Sequence, residues 1–276
     1  MLQVPLPAIV VDLFPEILDR LLRLLDTLTE QEWNTPTACA GWSVKDVAVH
    51  LLGVEVSNLS RRRDRYSSGV SVDGWDELVA FINDWNQQWV QVGRRISSPL
   101  LIDLLGSTGG QMCEYVRTLD PYAMDGPVSW AGPGPAPVWL DIAREYTERW
   151  HHQQHIRDAV VRPGLKEPKY LAPVLAAFAR AMPRAFQGAS SSEGTVVTLT
   201  VMGGSGGQWS LRQEGEVWRF YGGTVPQPKA EVQLDGETAW RFFTRGISQD
   251  QVREKMTLVG DRALGLRVLE MVSIIA

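Results

Sequence analysis

The residues of this chain best suited to chemistry are concentrated in one short stretch, which holds three of its four histidines. The stretch contains Glu145, Glu148, His151, His152 and His155. Between positions 138 and 162 there is no glycine or proline, and apolar residues recur every three or four positions, which predicts a helix. Residues three and four apart share a helix face, so Glu148, His152 and His155 would line one side while His151 points elsewhere. Because imidazole nitrogen and carboxylate oxygen both bind zinc and related metals, the Glu148–His152 pair could clamp a divalent cation.

The remaining histidine, His50, could supply the third ligand that such a site needs. It follows Ser43 and Asp46, whose spacing is typical of a helix N-terminus. A helix that begins there places His50 on an apolar face, where its imidazole must find a polar partner. If this face packs against the Glu148–His152 face, the result is a His–His–Glu set with open coordination positions. That is the ligand count of a catalytic zinc site.

Simpler interpretations stay open at this point. A single histidine on an apolar helix face is more often a hydrogen-bonded core residue than a metal ligand. A histidine-rich helix can also be a solvated surface helix. Cys39, which precedes the His50 helix, is interpreted as a packed thiol, because no neighbour in the sequence would lower its pKa.

The composition excludes several classes of protein. The chain has 27 lysines and arginines against 32 aspartates and glutamates, which argues against a nucleic-acid-binding protein. Cys39 and Cys113 lie too far apart in the sequence to suggest a disulfide framework or a zinc finger, so a reduced, cytoplasmic protein is the simplest interpretation. No apolar run is long enough to cross a bilayer, and we therefore expect no membrane partner. A monomer is the favoured oligomeric state.

The elements that must position these residues predict a mainly α protein with an α+β second domain. Long amphipathic helices fill residues 1–163 and indicate an up-down helical bundle, in which metal ligands project inward. Residues 164–276 contain short alternating segments separated by glycine-rich turns, which predict a small antiparallel sheet covered by helices. A loop over 120–137, rich in proline and glycine, carries Trp130 and is a candidate wall or lid of the site.

Three sets of residues resemble the signatures of a known family, the mycothiol-dependent maleylpyruvate isomerase-like proteins of the DinB superfamily. The first set comprises Trp33, Thr35, Pro36, Thr37, Cys39, the segment 41–47 and His50. The second comprises the segments 128–130 and 148–159. The third comprises the segments 234–245 and 260–265 and the terminal Ile-Ile-Ala.

The resemblance implies a DinB-like four-helix bundle that carries a divalent metal, usually zinc, followed by a domain similar to sterol carrier proteins. Transferred by motif, the metal ligands are His50, Glu148 and His152, the same set that the spacing indicates. The family commonly has aspartate where this chain has His155, which would then support the ligands or act as an additional one. The family also uses an arginine of the C-terminal domain near the metal, and Arg245 matches it best by motif.

The resulting hypothesis is a metal-dependent enzyme that activates a low-molecular-weight thiol such as mycothiol. Its substrate would be a small electrophile with a carboxylate, bound by Arg245 beside a wall that includes Trp130, and the reaction would be cis–trans isomerisation or S-conjugation. One alternative is a metal-dependent hydrolase with Glu145 or His155 as the general base. Another is a non-catalytic protein that binds an apolar ligand, because a fold alone does not determine function.

Overall fold

The structure is a computed structural model that describes residues 1–67, 69, 72, 74–132 and 134–273. Contacts divide the chain into two compact units. The helical unit comprises Val10–Asp120 and Glu145–Leu165, and the sheet unit comprises Met1–Ile9, Pro121–Arg144 and the residues from Lys166 onward. The division into domains 1–163 and 164–276 stays a prediction, because a grouping by contacts does not test independent folding. The terminal Ile-Ile-Ala and Pro133 of the predicted loop lie outside the described residues.

The helical unit is built from long amphipathic helices around one apolar core. Its helices are α1 (Phe14–Asp26), α2 (Glu30–Trp33), α3 (Val44–Asn58), α4 (Trp75–Gly93), α5 (Ser98–Arg117) and the second part of α6 (Val138–Ala159). Helices α1, α3, α5 and α6 all contribute to one buried cluster. Its members include Leu21, Leu25, Val47, Leu51, Leu101, Leu105 and Ile156. The predicted mainly α architecture with a helical bundle is confirmed.

Helix α3 begins where the sequence predicts it. The Ser43 hydroxyl accepts a hydrogen bond from the Asp46 backbone N–H at 3.3 Å, and the Asp46 carboxylate accepts one from the Ser43 N–H at 3.0 Å. The Arg94 guanidinium donates two further hydrogen bonds to the Asp46 carboxylate, at 2.9 and 3.0 Å. These contacts fix the first turn of α3, and so they fix the position of His50 in the following turn.

A buried ion-pair network joins α3 to α6. The Arg149 guanidinium donates hydrogen bonds to both carboxylate oxygens of Glu55, at 2.7 and 2.8 Å, and to the Glu145 carboxylate at 2.9 Å. The Asn58 side chain donates to the same oxygen of Glu145, with its Nδ2 atom 2.6 Å from Oε2. Because these contacts are directional, they set how α6 lies against α3. Residues 148 and 152 are thereby brought to the level of His50.

The sheet unit combines short helices with a five-stranded sheet. Its remaining helices are α7 (Pro168–Phe178), α8 (Met182–Ala185), α9 (Gly236–Phe243), α10 (Gln249–Lys255) and α11 (Arg262–Leu266). Its strands are β1 (Met124–Asp125), β2 (Ala136–Pro137), β3 (Val196–Met202), β4 (Gly207–Glu214), β5 (Val217–Gly222), β6 (Ala230–Asp235) and β7 (Thr257–Gly260). The order in the large sheet is β5-β4-β3-β6-β7, while β1 and β2 pair separately. The predicted α+β character of this part of the chain is confirmed.

The large sheet is mixed, which corrects the prediction of a purely antiparallel one. Strands β3 and β6 run parallel, with Val197 opposite Ala230, whereas the other neighbouring pairs are antiparallel. The alternation of apolar residues reports which face of a strand is buried and carries no information about its direction. Strand β7 was not predicted, because its four residues are too few for a period-2 pattern to be recognised.

The predicted loop over 120–137 is closed at its base by the pairing of β1 with β2. Trp130 lies in a turn of this segment and is only 1% exposed. The ring thus contributes to the core of the sheet unit. Across the described part of the chain, the structure contains no helix with both the length and the apolar character that a membrane span requires.

Candidate metal centre

Three side chains from two helices converge on one point in the helical unit. His50 Nε2 lies 2.9 Å from Glu148 Oε1, and His152 Nε2 lies 3.2 Å from the same oxygen. The rings of His50 and His152 meet edge to face, with centroids 4.5 Å apart. One ligand atom from each residue lies within 4.8 Å of the other two.

These distances fit a cation of the size of zinc. Tetrahedral coordination with bonds of 2.0–2.1 Å places neighbouring ligand atoms about 3.3 Å apart. The two separations that involve Glu148 Oε1, 2.9 and 3.2 Å, are close to that value. The donor set of two imidazoles and one carboxylate is one that zinc accepts, and three protein ligands leave a coordination position open. The residues therefore fit the metal that the family resemblance implies.

The protonation states favour the same use. The pKa of His152 is lowered to about 3, first by burial and then by the neighbouring His151, so its imidazole is neutral near pH 7. Burial alone would raise the pKa of Glu148, but its electrostatic interaction and hydrogen bond with His152, together with the hydrogen bond from His50, hold that pKa well below its usual value. Neutral imidazoles and an ionised carboxylate are the forms that bind metals.

An aromatic ring forms one wall of this site. The indole of Trp42 lies against His50, with ring centroids 5.2 Å apart. The Trp42 Nε1–H donates a hydrogen bond to Gln87 Oε1 at 3.0 Å, which fixes the orientation of the ring. No role was predicted for Trp42 from the sequence, although it belongs to the same segment as His50. Its proximity could have been suspected from the position of this tryptophan just before the helix that carries the histidine.

Cys39 also lies at the site, which the sequence analysis did not foresee. Its Sγ is 3.1 Å from His155 Nδ1 and 3.9 Å from His152 Nδ1. Burial raises the pKa of the Cys39 thiol to about 11, so the free thiol is protonated at neutral pH, as a packed thiol should be. No local signal could have revealed the contact, because 116 residues separate Cys39 from His155 in the sequence.

The other predicted site residues occupy different environments. Both Glu145 and its partner Arg149 are buried, and the Glu145 carboxylate accepts hydrogen bonds from Arg149 and Asn58. This engagement favours a structural role for Glu145 over that of a general base. His151 donates a hydrogen bond through Nδ1–H to the Thr147 carbonyl at 2.9 Å and is not a member of the His50–Glu148–His152 set. Arg245 is exposed and has a left-handed backbone with φ of 57°, in the turn after α9 in the sheet unit.

Comparison with known proteins matches this chain to one family profile and to solved structures with a similar fold. Residues 14–157, more than half of the chain, match the profile of the mycothiol maleylpyruvate isomerase N-terminal domain. The crystal structure of a mycothiol-dependent maleylpyruvate isomerase is similar over 90% of both chains, with 12% sequence identity and a TM-score of 0.53. A histidine-to-alanine mutant of such an enzyme covers the same shares, with 11% identity and a TM-score of 0.51. These likenesses show the fold.

Two further results are less informative. A sterol carrier protein 2 like 2 from Aedes aegypti covers 34% of this chain and 93% of its own, with 15% identity and a TM-score of 0.27. That score is too low to carry an argument, so the resemblance of the C-terminal part to sterol carrier proteins stays a prediction. No curated protein sequence matches the chain.

Proposed function

This chain belongs to the mycothiol maleylpyruvate isomerase family, and from that premise we propose that it is a thiol-dependent isomerase whose active site is the His50–Glu148–His152 set. The observation that carries the proposal is that the His50 and His152 rings meet at one carboxylate oxygen of Glu148, although His50 lies 98 positions before Glu148 in the sequence. A core histidine needs only one hydrogen-bond partner. Two imidazoles and one carboxylate have the ligand count of a catalytic metal site, in which one coordination position stays open.

The three residues would hold a divalent metal, with zinc the best match to their donor atoms. When bound, the cation would keep the sulfur of a small thiol such as mycothiol as a thiolate near neutral pH, which is the nucleophile needed for isomerisation or S-conjugation. His50 and His152 contribute nitrogen lone pairs without adding charge. Glu148 contributes the single negative charge, and its partial exposure marks the side from which ligands would enter.

The remaining residues of the helical unit would shape and exclude water from this position. Trp42 covers His50, and the buried Arg149 network keeps α6 in register with α3, so the ligand atoms are held in place before anything binds. Such preorganisation reduces the cost of bringing a thiol and an electrophile together. Arg245 and Trp130 remain proposals by motif, as receptor of a substrate carboxylate and as pocket wall. The monomeric state and the cytoplasmic location also remain predictions.

The experiment compares metal content and turnover in matched variants. Purified wild-type protein is analysed for bound metal, and turnover of maleylpyruvate is measured with and without mycothiol. His152→Ala should lose both the metal and the thiol-dependent turnover, while its circular dichroism spectrum keeps the helical signal. His151→Asn is the control, since it removes a neighbouring imidazole of the same helix that lies outside the set.

Two results would count against the proposal. If His152→Ala retains as much metal as the wild type, the ligand assignment is wrong. If wild-type protein loaded with metal turns over a panel of conjugated carboxylates equally well without any thiol, a water-based reaction such as hydrolysis replaces the thiol-dependent one.

A further inference from the structure

A second group of metal-binding side chains lies beside the first and shares one residue with it. The group consists of Cys39, His152 and His155, whose ligand atoms all lie within 4.8 Å of one another. The two groups lie at different ring nitrogens of His152. Nε2 of that ring points to Glu148, whereas Nδ1 points to the Cys39 sulfur.

The distances in this group fit a cation bound through sulfur. With a zinc–sulfur bond of about 2.3 Å and zinc–nitrogen bonds of about 2.0–2.1 Å, tetrahedral geometry places sulfur and nitrogen about 3.5 Å apart. The observed separations from Cys39 Sγ are 3.1 Å to His155 Nδ1 and 3.9 Å to His152 Nδ1, on either side of that value. A shift of a few tenths of an ångström would therefore complete the set.

The backbone around Cys39 is held in place before any ligand binds. The Cys39 N–H donates a hydrogen bond to the Thr37 hydroxyl at 3.2 Å, and the Thr37 hydroxyl donates to the Trp42 carbonyl at 2.9 Å. The Trp42 N–H donates back to the Cys39 carbonyl at 3.0 Å. Gly41 closes this turn with φ of 78°, a left-handed conformation that glycine adopts at little cost. Cys39 itself is only partly buried, so a cation can reach its sulfur.

We propose that Cys39, His152 and His155 form a second metal site, one that selects soft or borderline divalent cations such as Cd²⁺, Zn²⁺ or Co²⁺ through a thiolate. Thiolate and imidazole ligands select such ions over Mg²⁺ or Ca²⁺, which prefer oxygen. When the cation sits on Nδ1 of His152, the Nε2–H of that ring donates to Glu148, a carboxylate–histidine–metal arrangement that strengthens the ligand.

Sharing of His152 makes the two sites dependent on each other. A neutral imidazole has one lone pair, so it serves either the Glu148 side or the Cys39 side at a given moment. A soft cation at Cys39 therefore withdraws His152 from the His50–Glu148 set. When Cd²⁺ is added stepwise, it should fill the sulfur site first, because sulfur is the stronger ligand for that ion.

The test is a titration of the metal-free, full-length protein with Co²⁺ and with Cd²⁺, followed by the sulfur-to-metal charge-transfer absorption in the ultraviolet. The wild-type protein should develop this band as the first equivalent binds. Cys39→Ser should lose it, and His155→Ala should lose it or require at least about tenfold more metal, which corresponds to the loss of about 1.4 kcal/mol of binding free energy. His50→Ala removes a ligand of the first site only and should keep the band.

The matched control is Cys113→Ser, since Cys113 is the other free cysteine and is buried in α5 of the same unit. It should keep the band at full intensity. If wild-type protein shows no charge-transfer band at saturating Cd²⁺, the second site does not exist, whatever the variants do. A band that persists in Cys39→Ser and disappears in Cys113→Ser would equally overturn the proposal. Failure of thiol-dependent turnover in the earlier experiment leaves this spectroscopic result unaffected, so the two proposals are tested separately.

Discussion

Replacement of Arg149 by methionine should destabilise the helical unit strongly, because it removes the buried cation that pairs with two buried carboxylates. The Arg149 side chain is 8% exposed, and those of Glu55 and Glu145 are 7% and 3% exposed. Burial would lower the pKa of Arg149, but the two glutamates raise it above its usual value, so the guanidinium stays charged. Methionine fills a similar volume and removes all the hydrogen bonds that the guanidinium donates.

The magnitude follows from the burial of all three partners. Removal of one member of a buried ion pair costs about 3–5 kcal/mol, against a total of about 5–15 kcal/mol for a typical domain. Amide hydrogens of α3 that exchange through opening of the bundle should therefore exchange about 100-fold to a few thousand-fold faster than in the wild type. Hydrogen–deuterium exchange measured on peptides from Val44–Asn58 reports this unit separately from the rest of the chain.

Two further variants decide whether the stranded charge is the cause. Arg23→Met breaks an ion pair in the same unit, the 2.9 Å contact with Asp19, whose side chains are 78% and 53% exposed. That change should cost no more than about 0.5 kcal/mol. Combining Arg149→Met with Glu55→Leu and Glu145→Leu should restore most of the lost protection, because the guanidinium and both of its buried carboxylate partners are then removed together. Protection in Arg149→Met that equals the Arg23→Met value would refute the reasoning.

Two further predictions concern the stability of the same unit. Asp46→Asn should be about 1–2 kcal/mol less stable than the wild type near neutral pH, in denaturant unfolding followed by circular dichroism. Burial would raise the pKa of Asp46, but hydrogen bonds from Arg94 and the Ser43 N–H lower this pKa overall. The ionised carboxylate therefore stabilises the fold fully above its unfolded-state pKa, and this stabilisation is lost as the pH falls through its native-state pKa. The difference between variant and wild type should therefore shrink below about pH 4, and a constant difference from pH 7 to pH 3 would contradict this. Gly93→Ala should cost about 1–3 kcal/mol, because the added Cβ would overlap the side chain of the buried Val49. Gly110→Ala, which has open space in α5, should be neutral or stabilising. Equal effects of the two changes would show that the close approach does not matter.

The sequence predicted the two helices that carry the candidate ligands, because helix formation depends on local spacing. Helical periodicity identified the segments that became α3 and α6, and the i, i+4 relation placed Glu148 and His152 on one face. The presence of His50 on the apolar face of the other helix then required a buried polar partner, which the structure provides in Glu148. The role of these residues as metal ligands remains a proposal.

Contacts that depend on how distant segments meet could not be predicted. The bond between Arg149 and Glu55 joins residues 94 positions apart, and neither residue carries a local pattern that marks it as a partner. The parallel pairing of β3 with β6 could not be predicted either, because β6 follows β5 in the chain but pairs with β3 in the sheet. Which residues of a strand share a face is local information, whereas the direction of a strand in the sheet is decided by the topology.

His152 is the residue through which the two metal-binding groups are joined, and this determines which variants can be interpreted. Its Nε2 serves Glu148 and its Nδ1 faces Cys39, so His152→Ala removes a ligand from both groups at once. That variant tests whether any metal is bound, but it cannot assign the metal to one group. His50 belongs only to the first group and His155 only to the second, so the pair His50→Ala and His155→Ala separates them. A metal that is lost from the first variant and retained by the second lies at the Glu148 side, and the reverse result places it at the sulfur.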